Sequence, residues 1–238
     1  MGINLHLFFI QEELRQMSRY LDTVVSALEK KYQEIDTVYE DTWKDRVADE
    51  LSDDYVEWVL SQHQDELIEA GEDFPQLLLI SFVILWYSFV EQKMLDLCDE
   101  LNLTITISAK GEENFGKGIR RARRFLLHVK NYEIYQKHWQ ELVYIGKLRN
   151  LIVHEGRNIK LSYVKPDGES VVHKVPSGLD LYIPIDGDLH KYMERHKLFS
   201  ISGVNLNIMP SIDYCNELVR FGGEIFRKLY GDLRSTES

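Results

Sequence analysis

Residues 74–90 read FPQLLLISFVILWYSFV and form the longest uncharged stretch of the 238-residue chain. A stretch of seventeen residues is at the short edge of what can span a bilayer. Gln76, Ser81 and Ser88 interrupt it, and an amphipathic segment follows from Glu91. We therefore predict a helix over about residues 74–101 that lies at the centre of a bundle, because its first half is apolar all round. The alternative is a membrane-associated regulator built on residues 74–90.

Helical periodicity extends outward from this segment in both directions. Apolar residues recur at three- and four-residue steps before it, and Asp41 or Thr42 is placed to cap a helix that ends at Gly71. Gly156 provides a similar stop signal after the fifth helix. The predicted helices cover residues 7–37, 42–70, 74–101, 117–129, 133–155 and 212–233.

A different pattern separates the last two helices. Residues 159–164 and 170–175 alternate between apolar and polar positions, and the turn Lys165-Pro-Asp-Gly168 joins them, which predicts a β-hairpin. Short strands are also expected within 180–185 and 199–208. The predicted class is mainly α, a helical bundle with a small β-hairpin insertion before the last helix. One domain is expected over 1–238, with an N-terminal helical extension (1–72), a bundle core (73–156 and 210–233) and a β-containing insertion (157–209).

Composition predicts an ordinary cytoplasmic protein without a metal or cofactor. Cys98 and Cys215 both lie in apolar periodic segments, which favours two buried, reduced thiols, and no Cys or His pair has zinc-ligand spacing. No basic stretch precedes the apolar N-terminus, so a signal peptide is not expected. The acidic stretch Asp45–Asp54 is interpreted as a solvated helix face.

The charge of the chain is divided unevenly. The total is −11, which argues against simple nucleic-acid binding over the whole surface. From Lys110 to Lys160, however, twelve Lys/Arg stand against five Asp/Glu, a net charge of +7. A basic middle in an acidic protein is typical of a local polyanion site, although a solvated helix face gives the same count.

The candidate catalytic residues lie in the segment Lys147-Leu-Arg-Asn-Leu-Ile-Val-His-Glu-Gly156, near the end of the fifth helix. Asn150 and His154 are four residues apart and share one helix face. Arg149 is about 140° from His154 around the helix, but its long side chain can swing toward the same place. Three apolar residues between them anchor the helix in the core, so the polar trio has to emerge at a surface, a cleft or an interface.

These residue types suit RNA cleavage without a metal. A histidine titrates near neutral pH and can remove or donate a proton, arginine offers a fixed fork for phosphate oxygens, and asparagine can hold the phosphate or orient the histidine. One histidine cannot easily perform both proton transfers, whereas two copies across a two-fold axis can. The other interpretation of His154 is a structural residue paired with the helix dipole.

Arg149, Asn150 and His154 together resemble the signature of the HEPN superfamily, Arg-x4–6-His with a polar residue directly after the arginine. The resemblance covers about residues 74–156 and the last helix. It includes the apolar helix that carries Tyr87–Leu95. It implies a bundle of four or five helices and a homodimer in which the three residues from both protomers form one RNA-cleaving site.

The same resemblance implies a role as a toxin with an antitoxin partner, or in phage defence with a second defence protein. One subgroup carries a tyrosine two residues after the histidine, where a nucleotidyltransferase partner modifies it. This chain has Gly156 there, so inactivation by modification of a tyrosine is not implied. Some HEPN domains have lost activity, and a non-catalytic dimeric module that binds protein or RNA is therefore the alternative function.

Basic residues on and near the preceding helix are the expected RNA contacts. Three of them fall on one face at i, i+3 and i+7. We expect this face to bind RNA phosphates beside His154, and the competing interpretation is pairing with the acidic first hundred residues. The expected RNA-binding residues are Lys117, Arg120, Arg121, Arg124 and Lys147. The expected catalytic residues are Arg149, Asn150 and His154, and the expected product carries a 2′,3′-cyclic phosphate.

Overall fold

The computed structural model describes residues 3–43, 53–100, 118–130, 134–174 and 180–235. Most of these residues are helical, which confirms the mainly α class. A π-helical turn, Glu69–Asp73, joins the second and third helices without a break. The α-helices are α1 (Ile3–Trp43), α2 (Asp53–Ile68), α3 (Phe74–Glu100), α4 (Ile119–Lys130), α5 (Gln136–Glu155), α6 (Gly187–Arg195) and α7 (Ile212–Ser235).

Two predicted helix boundaries are wrong. Asp41 and Thr42 lie inside α1 rather than before a new helix. Gly71 does not end a helix, because the chain remains helical through the π turn. A Cβ atom at Gly71 would lie 2.9 Å from the ring of Tyr32. The glycine therefore allows α1 to pack closely against the π turn, and tertiary contact replaces the stop that the sequence suggested.

The described strands form two small antiparallel sheets. One has the order β1 (Asn158–Lys160), β5 (Asn205–Ile208), β4 (Phe199–Ser202), and the other pairs β2 (Val171–Lys174) with β3 (Asp180–Ile183).

The predicted hairpin between residues 159–164 and 170–175 is wrong. β1 pairs with β5, so that buried Ile159 lies opposite buried Leu206. This distant pairing covers both side chains, whereas the local hairpin would leave them without that partner. The short strands expected within 180–185 and 199–208 are confirmed. The sequence patterns do not predict α6.

A single buried cluster of apolar side chains runs through the bundle and the β-containing segment. The first half of α1 contributes to it through Ile10, Leu14 and Leu21. Ile159 and Leu206 join the same cluster from the first sheet. The helices and the 157–209 segment therefore share a core, and its largest fully buried side chains include Trp86, Tyr230, Phe226, Met94, Leu148 and Ile183.

The central helix α3 buries only one of its faces, which corrects the expectation that it is surrounded on all sides. Val83, Trp86 and Val90 are fully buried. On another face the exposed fractions are 49% for Leu77 and 53% for Leu85.

The continuous helix Asp54–Asp99 has the length and composition of a membrane-crossing helix, and 33% of its most apolar window is buried. Core helices of soluble proteins meet the same criterion.

Both cysteines are buried and neither forms a disulfide, as predicted. Burial raises the pKa of the Cys215 thiol to about 12. Burial, helped by the nearby Asp99 carboxylate, raises the pKa of Cys98 to about 12 as well. Both thiols therefore remain protonated and unreactive in the folded protein near neutral pH.

Candidate active site at the end of α5

The end of α5 is held firmly while its polar side chains remain outside. Leu148 and Ile152 are buried, whereas Asn150 and His154, one turn apart, are exposed. The helix ends at Gly156, whose φ of 79° lies in the left-handed region and whose N–H donates to the carbonyl of Ile152 at 3.0 Å. Glycine adopts this conformation without strain.

Arg149 and Asn150 are joined by a hydrogen bond. Nη1 of Arg149 donates to Oδ1 of Asn150 over 2.9 Å, so the guanidinium swings to the Asn150 side of the helix. The buried Nε of Arg149 has no hydrogen-bond partner in the described part of the chain. Because Nε is enclosed, the terminal amino groups of the guanidinium are the donors for an incoming oxyanion, and only one of their N–H groups is used in the bond to Asn150 among the described residues.

A cleft of about 520 Å³ lies beside this pair. It is enclosed by α3, the start of α4 and the outer side of α5. Three cationic side chains face one carboxylate in its lining, which makes the cleft suitable for an anionic ligand. The lining includes Tyr87, Glu91, Arg120, Trp139, Lys147, Arg149 and Asn150.

Only part of the expected RNA-binding set meets in this cleft. Arg120 lines it. Arg121 and Arg124 are exposed on α4 but do not line the cleft. Lys117 lies outside the described residues. Lys147 lines the cleft, but its Nζ is 2.8 Å from Oδ2 of Asp186, so that carboxylate offsets its charge.

Tyr87 is a cleft residue that the sequence patterns did not mark as functional. Its phenol packs on the backbone of α5, where a Cβ atom at Gly146 would lie 2.7 Å from the Tyr87 oxygen. Burial and the Glu91 carboxylate raise the pKa of Tyr87, against the opposing effect of Arg149 and Arg120. The phenol therefore stays protonated near neutral pH and presents a hydrogen-bond donor or acceptor.

The carboxylate of Glu91 occupies the start of α4. Its Oε1 lies directly against Gly118, so a side chain at that position would have to displace the carboxylate, and the φ of Gly118 is 58°. An anion at a helix N-terminus is stabilised by the helix dipole. Glu91 is thus an acidic side chain in a basic cleft because its carboxylate lies at the N-terminus of α4.

His154 lies beyond the cleft lining, on the same side of α5. Gly146, Asn150 and Val153 occur at i, i+4 and i+7, and Gly146 faces Tyr87 of α3. Asn150, Val153 and His154 therefore lie along the flank of α3. Among the described residues, none forms a hydrogen bond or ion pair with the imidazole of His154, so both ring nitrogens remain available.

The exposed face of α3 continues this surface. Arg157 Nη2 lies 2.6 Å from Oδ1 of Asp73, and Tyr87 contacts Gly146, so α3 and α5 run antiparallel. Val153 is 48% exposed on α5, next to the helix that exposes Leu77 and Leu85. Exposed apolar residues therefore occur both on α5, beside the polar motif, and on the neighbouring helix α3.

A second polar cluster lies on the opposite side of α5 and fixes α6 and α7. The hydroxyls of Tyr192 and Tyr214 are 2.9 Å apart, and burial raises both pKa values. His196 lies 3.6 Å from carboxylate oxygens of both Glu141 and Glu217. Burial lowers the pKa of His196, and Glu141 opposes that effect. These contacts hold His196 between α5 and α7.

No family model matches the chain, and the searches of curated proteins and of solved structures gave no significant match. Among the described residues, no group of three or more His, Cys, Asp or Glu side chains is arranged to hold a metal.

Proposed function

We propose that this chain is a metal-independent endoribonuclease that cleaves RNA at a site shared by two copies. The observation that carries the proposal is the pairing of Arg149 with Asn150 in a cationic cleft, with an exposed His154 one turn away. The resemblance of these three residues to the HEPN signature supports the same function.

Each residue has a defined role in the proposed reaction. His154 removes the proton of a ribose 2′-hydroxyl, whose oxygen attacks the adjacent phosphorus. The bond from phosphorus to the 5′-oxygen breaks, and that oxygen takes a proton from the partner copy's equivalent imidazole. Arg149 stabilises the charge that develops on the phosphoryl oxygens, and Asn150 orients the phosphate. The products carry a 2′,3′-cyclic phosphate and a 5′-hydroxyl.

The position of His154 favours a shared site over a site within one copy. Its side chain is exposed and does not line the cleft of its own chain. A second copy placed against the exposed apolar face of α3 and α5 would bring a second Arg149–Asn150 pair toward it. Burial of Leu77, Leu85 and Val153 in that contact would stabilise the dimer.

The distribution of charge supports selective access of RNA. Arg120 and Arg149 line the cleft, and Arg121 and Arg124 extend a positive surface along α4. The remainder of the chain is acidic, so RNA is attracted mainly to this side. We further propose a cytoplasmic toxin or phage-defence role, with an antitoxin or a second defence protein as partner.

The competing function is a HEPN-like dimer that binds RNA or protein without cutting it. The observation in its favour is that Arg120 and Arg149 line a cleft that can hold an anionic ligand without His154. This module would retain RNA binding after loss of His154, and the two functions therefore differ in what that residue is needed for.

The test compares purified wild type, His154→Ala and a control variant, His173→Ala, whose histidine lies on β2. Each protein is incubated with total RNA and a tRNA pool in excess EDTA, and the 3′ ends of the fragments are analysed. We expect cyclic phosphate ends from wild type and His173→Ala, and a loss of at least about 100-fold in His154→Ala.

Equal cleavage by His154→Ala would contradict the proposed mechanism, as would cleavage that EDTA abolishes. RNA binding by both proteins without cleavage by either would favour the binding module.

A further inference from the structure

A groove of about 570 Å³ separates α1 from the end of α2 and the π turn. It runs along α1 from Val25 to Gln33. Eight helical steps correspond to about 12 Å, the length of about two turns of a helix laid beside them. The groove is distinct from the proposed ribonuclease site, since the two have no lining residue in common.

The floor of the groove is apolar and partly exposed. Tyr32 and Ile68 are 40% and 42% exposed, and both line the groove. Leu28 and Leu67 also line the groove. Gly71 allows the Tyr32 ring to approach the π turn closely, since a Cβ atom there would lie 2.9 Å from the ring. Apolar side chains of this size in a concave surface provide a place for the anchor residues of a partner.

The rim of the groove carries negative charge only. Glu29 and Glu72 line it, and none of the described residues that line it is a Lys, Arg or His. The helical segments that form the groove have the same sign, because residues 29–43 and 53–73 contain thirteen Asp/Glu and two Lys/Arg. Such a surface repels nucleic acid and attracts cationic partners.

We infer that this groove binds a short, positively charged amphipathic helix of a partner protein. Apolar residues of that helix at i, i+3, i+4 and i+7 fill the floor beside Tyr32 and Ile68. Its Lys or Arg side chains reach Glu29 and Glu72 at the rim. Two antiparallel helices already form the walls, so the added helix completes a three-helix arrangement. Charge selects the partner, and the apolar anchors supply most of the affinity.

The test uses the full chain and a fluorescent synthetic peptide of about four helical turns, with leucines at helical spacing and lysines elsewhere. Its control replaces every lysine by glutamate. Fluorescence anisotropy gives the dissociation constant for wild type and for two charge-matched variants. Glu29→Lys/Glu72→Lys changes the rim, and Glu57→Lys/Asp65→Lys changes exposed carboxylates of α2 that do not line the groove.

We expect saturable binding of the lysine peptide only. The rim variant should weaken it by about tenfold or more, and the matched variant by about twofold or less. A benzophenone in place of one leucine should crosslink to groove residues. Equal weakening by both variants, crosslinks elsewhere, or no saturable binding would overturn the inference.

Sedimentation of the same proteins distinguishes a second copy as the occupant. A wild-type dimer that the rim variant alone dissociates would assign the groove to self-association and would also overturn the inference. The ribonuclease assay is independent of both outcomes, because neither variant changes the α5 site.

Discussion

Gly146 lies where α5 crosses the ring of Tyr87. The close packing of the two helices at this position requires a residue without a side chain. A Cβ atom there would lie 2.7 Å from the Tyr87 oxygen and 2.9 Å from Cζ. The α7 residue Gly223 offers a contrast, since a Cβ atom at that position meets nothing within 4 Å. Both glycines are inside helices, so the two positions differ mainly in the space around them.

We predict opposite effects of alanine at these two glycines. Gly146→Ala should lower the free energy of unfolding by about 1–2 kcal/mol, because the Tyr87 ring must move. Gly223→Ala should raise it by about 0.5–1 kcal/mol through helix propensity. Urea unfolding of both variants measures this. In a Tyr87→Leu background, Gly146→Ala should no longer destabilise, and an equal loss there would contradict the steric explanation.

The hydrogen bond between Arg149 and Asn150 also depends on individual side chains. The sequence places Arg149 about 140° from His154, which by itself leaves the grouping of the three residues open. The 2.9 Å bond decides that the guanidinium turns toward Asn150. Side-chain length, rather than helix geometry alone, determines which groups meet.

At the scale of elements, Asp186 connects α6 to α5. Its Oδ1 accepts from the amides of Asp188 at 3.1 Å and Leu189 at 2.8 Å, and its Oδ2 accepts from Lys147 at 2.8 Å. Burial alone would raise the pKa of Asp186, but the bond from Lys147 and those from the two amides hold it below its ordinary value. The carboxylate thus caps one helix and pairs with another.

We predict that Asp186→Asn costs about 1–2 kcal/mol of unfolding free energy near pH 7. Because the folded-state pKa is depressed, this stabilisation is complete above the unfolded pKa of about 3.9 and is lost as pH falls through the folded-state pKa. The difference between wild type and Asp186→Asn should therefore shrink toward pH 3. Urea unfolding at the two pH values tests this, and a difference that grows on acidification would contradict it.

At the scale of the whole molecule, the exposed face of α3 is the main feature. Phe74 and Leu77 are each 49% exposed and Leu85 is 53% exposed, although the opposite side of the helix is fully buried. The residues of the proposed catalytic motif lie on the neighbouring helix. A single copy thus leaves apolar surface exposed on the helix next to the one that carries the residues of the proposed mechanism.

We predict a dimer of the 28.0 kDa chain that depends on this face. Leu77→Glu and Leu85→Glu should each weaken dimerisation by about 100-fold and reduce RNA cleavage in parallel. Val38→Glu, which changes an exposed apolar residue of α1, is the matched control and should remain dimeric. Sedimentation velocity and the RNA assay measure both properties. A monomeric wild type with full cleavage activity would contradict the shared site.

The sequence by itself determined the helical class, the positions of most helices and the sharing of one face by Asn150 and His154. These features depend on periodicity and spacing within one segment, which local geometry fixes. It also determined the burial of Cys98 and Cys215, since both belong to apolar periodic segments.

Only the tertiary structure decided the strand pairing, the continuation of the helix through Gly71 and the residues of the cleft. Ile159 meets Leu206 because both are buried there, and neither the turn at residues 165–168 nor local alternation encodes that contact. Tyr87 and Arg120 line the same cleft as Arg149, although they lie on other helices. Contacts between distant segments are selected by burial and space-filling in the folded core, so the pattern of any one segment does not specify them.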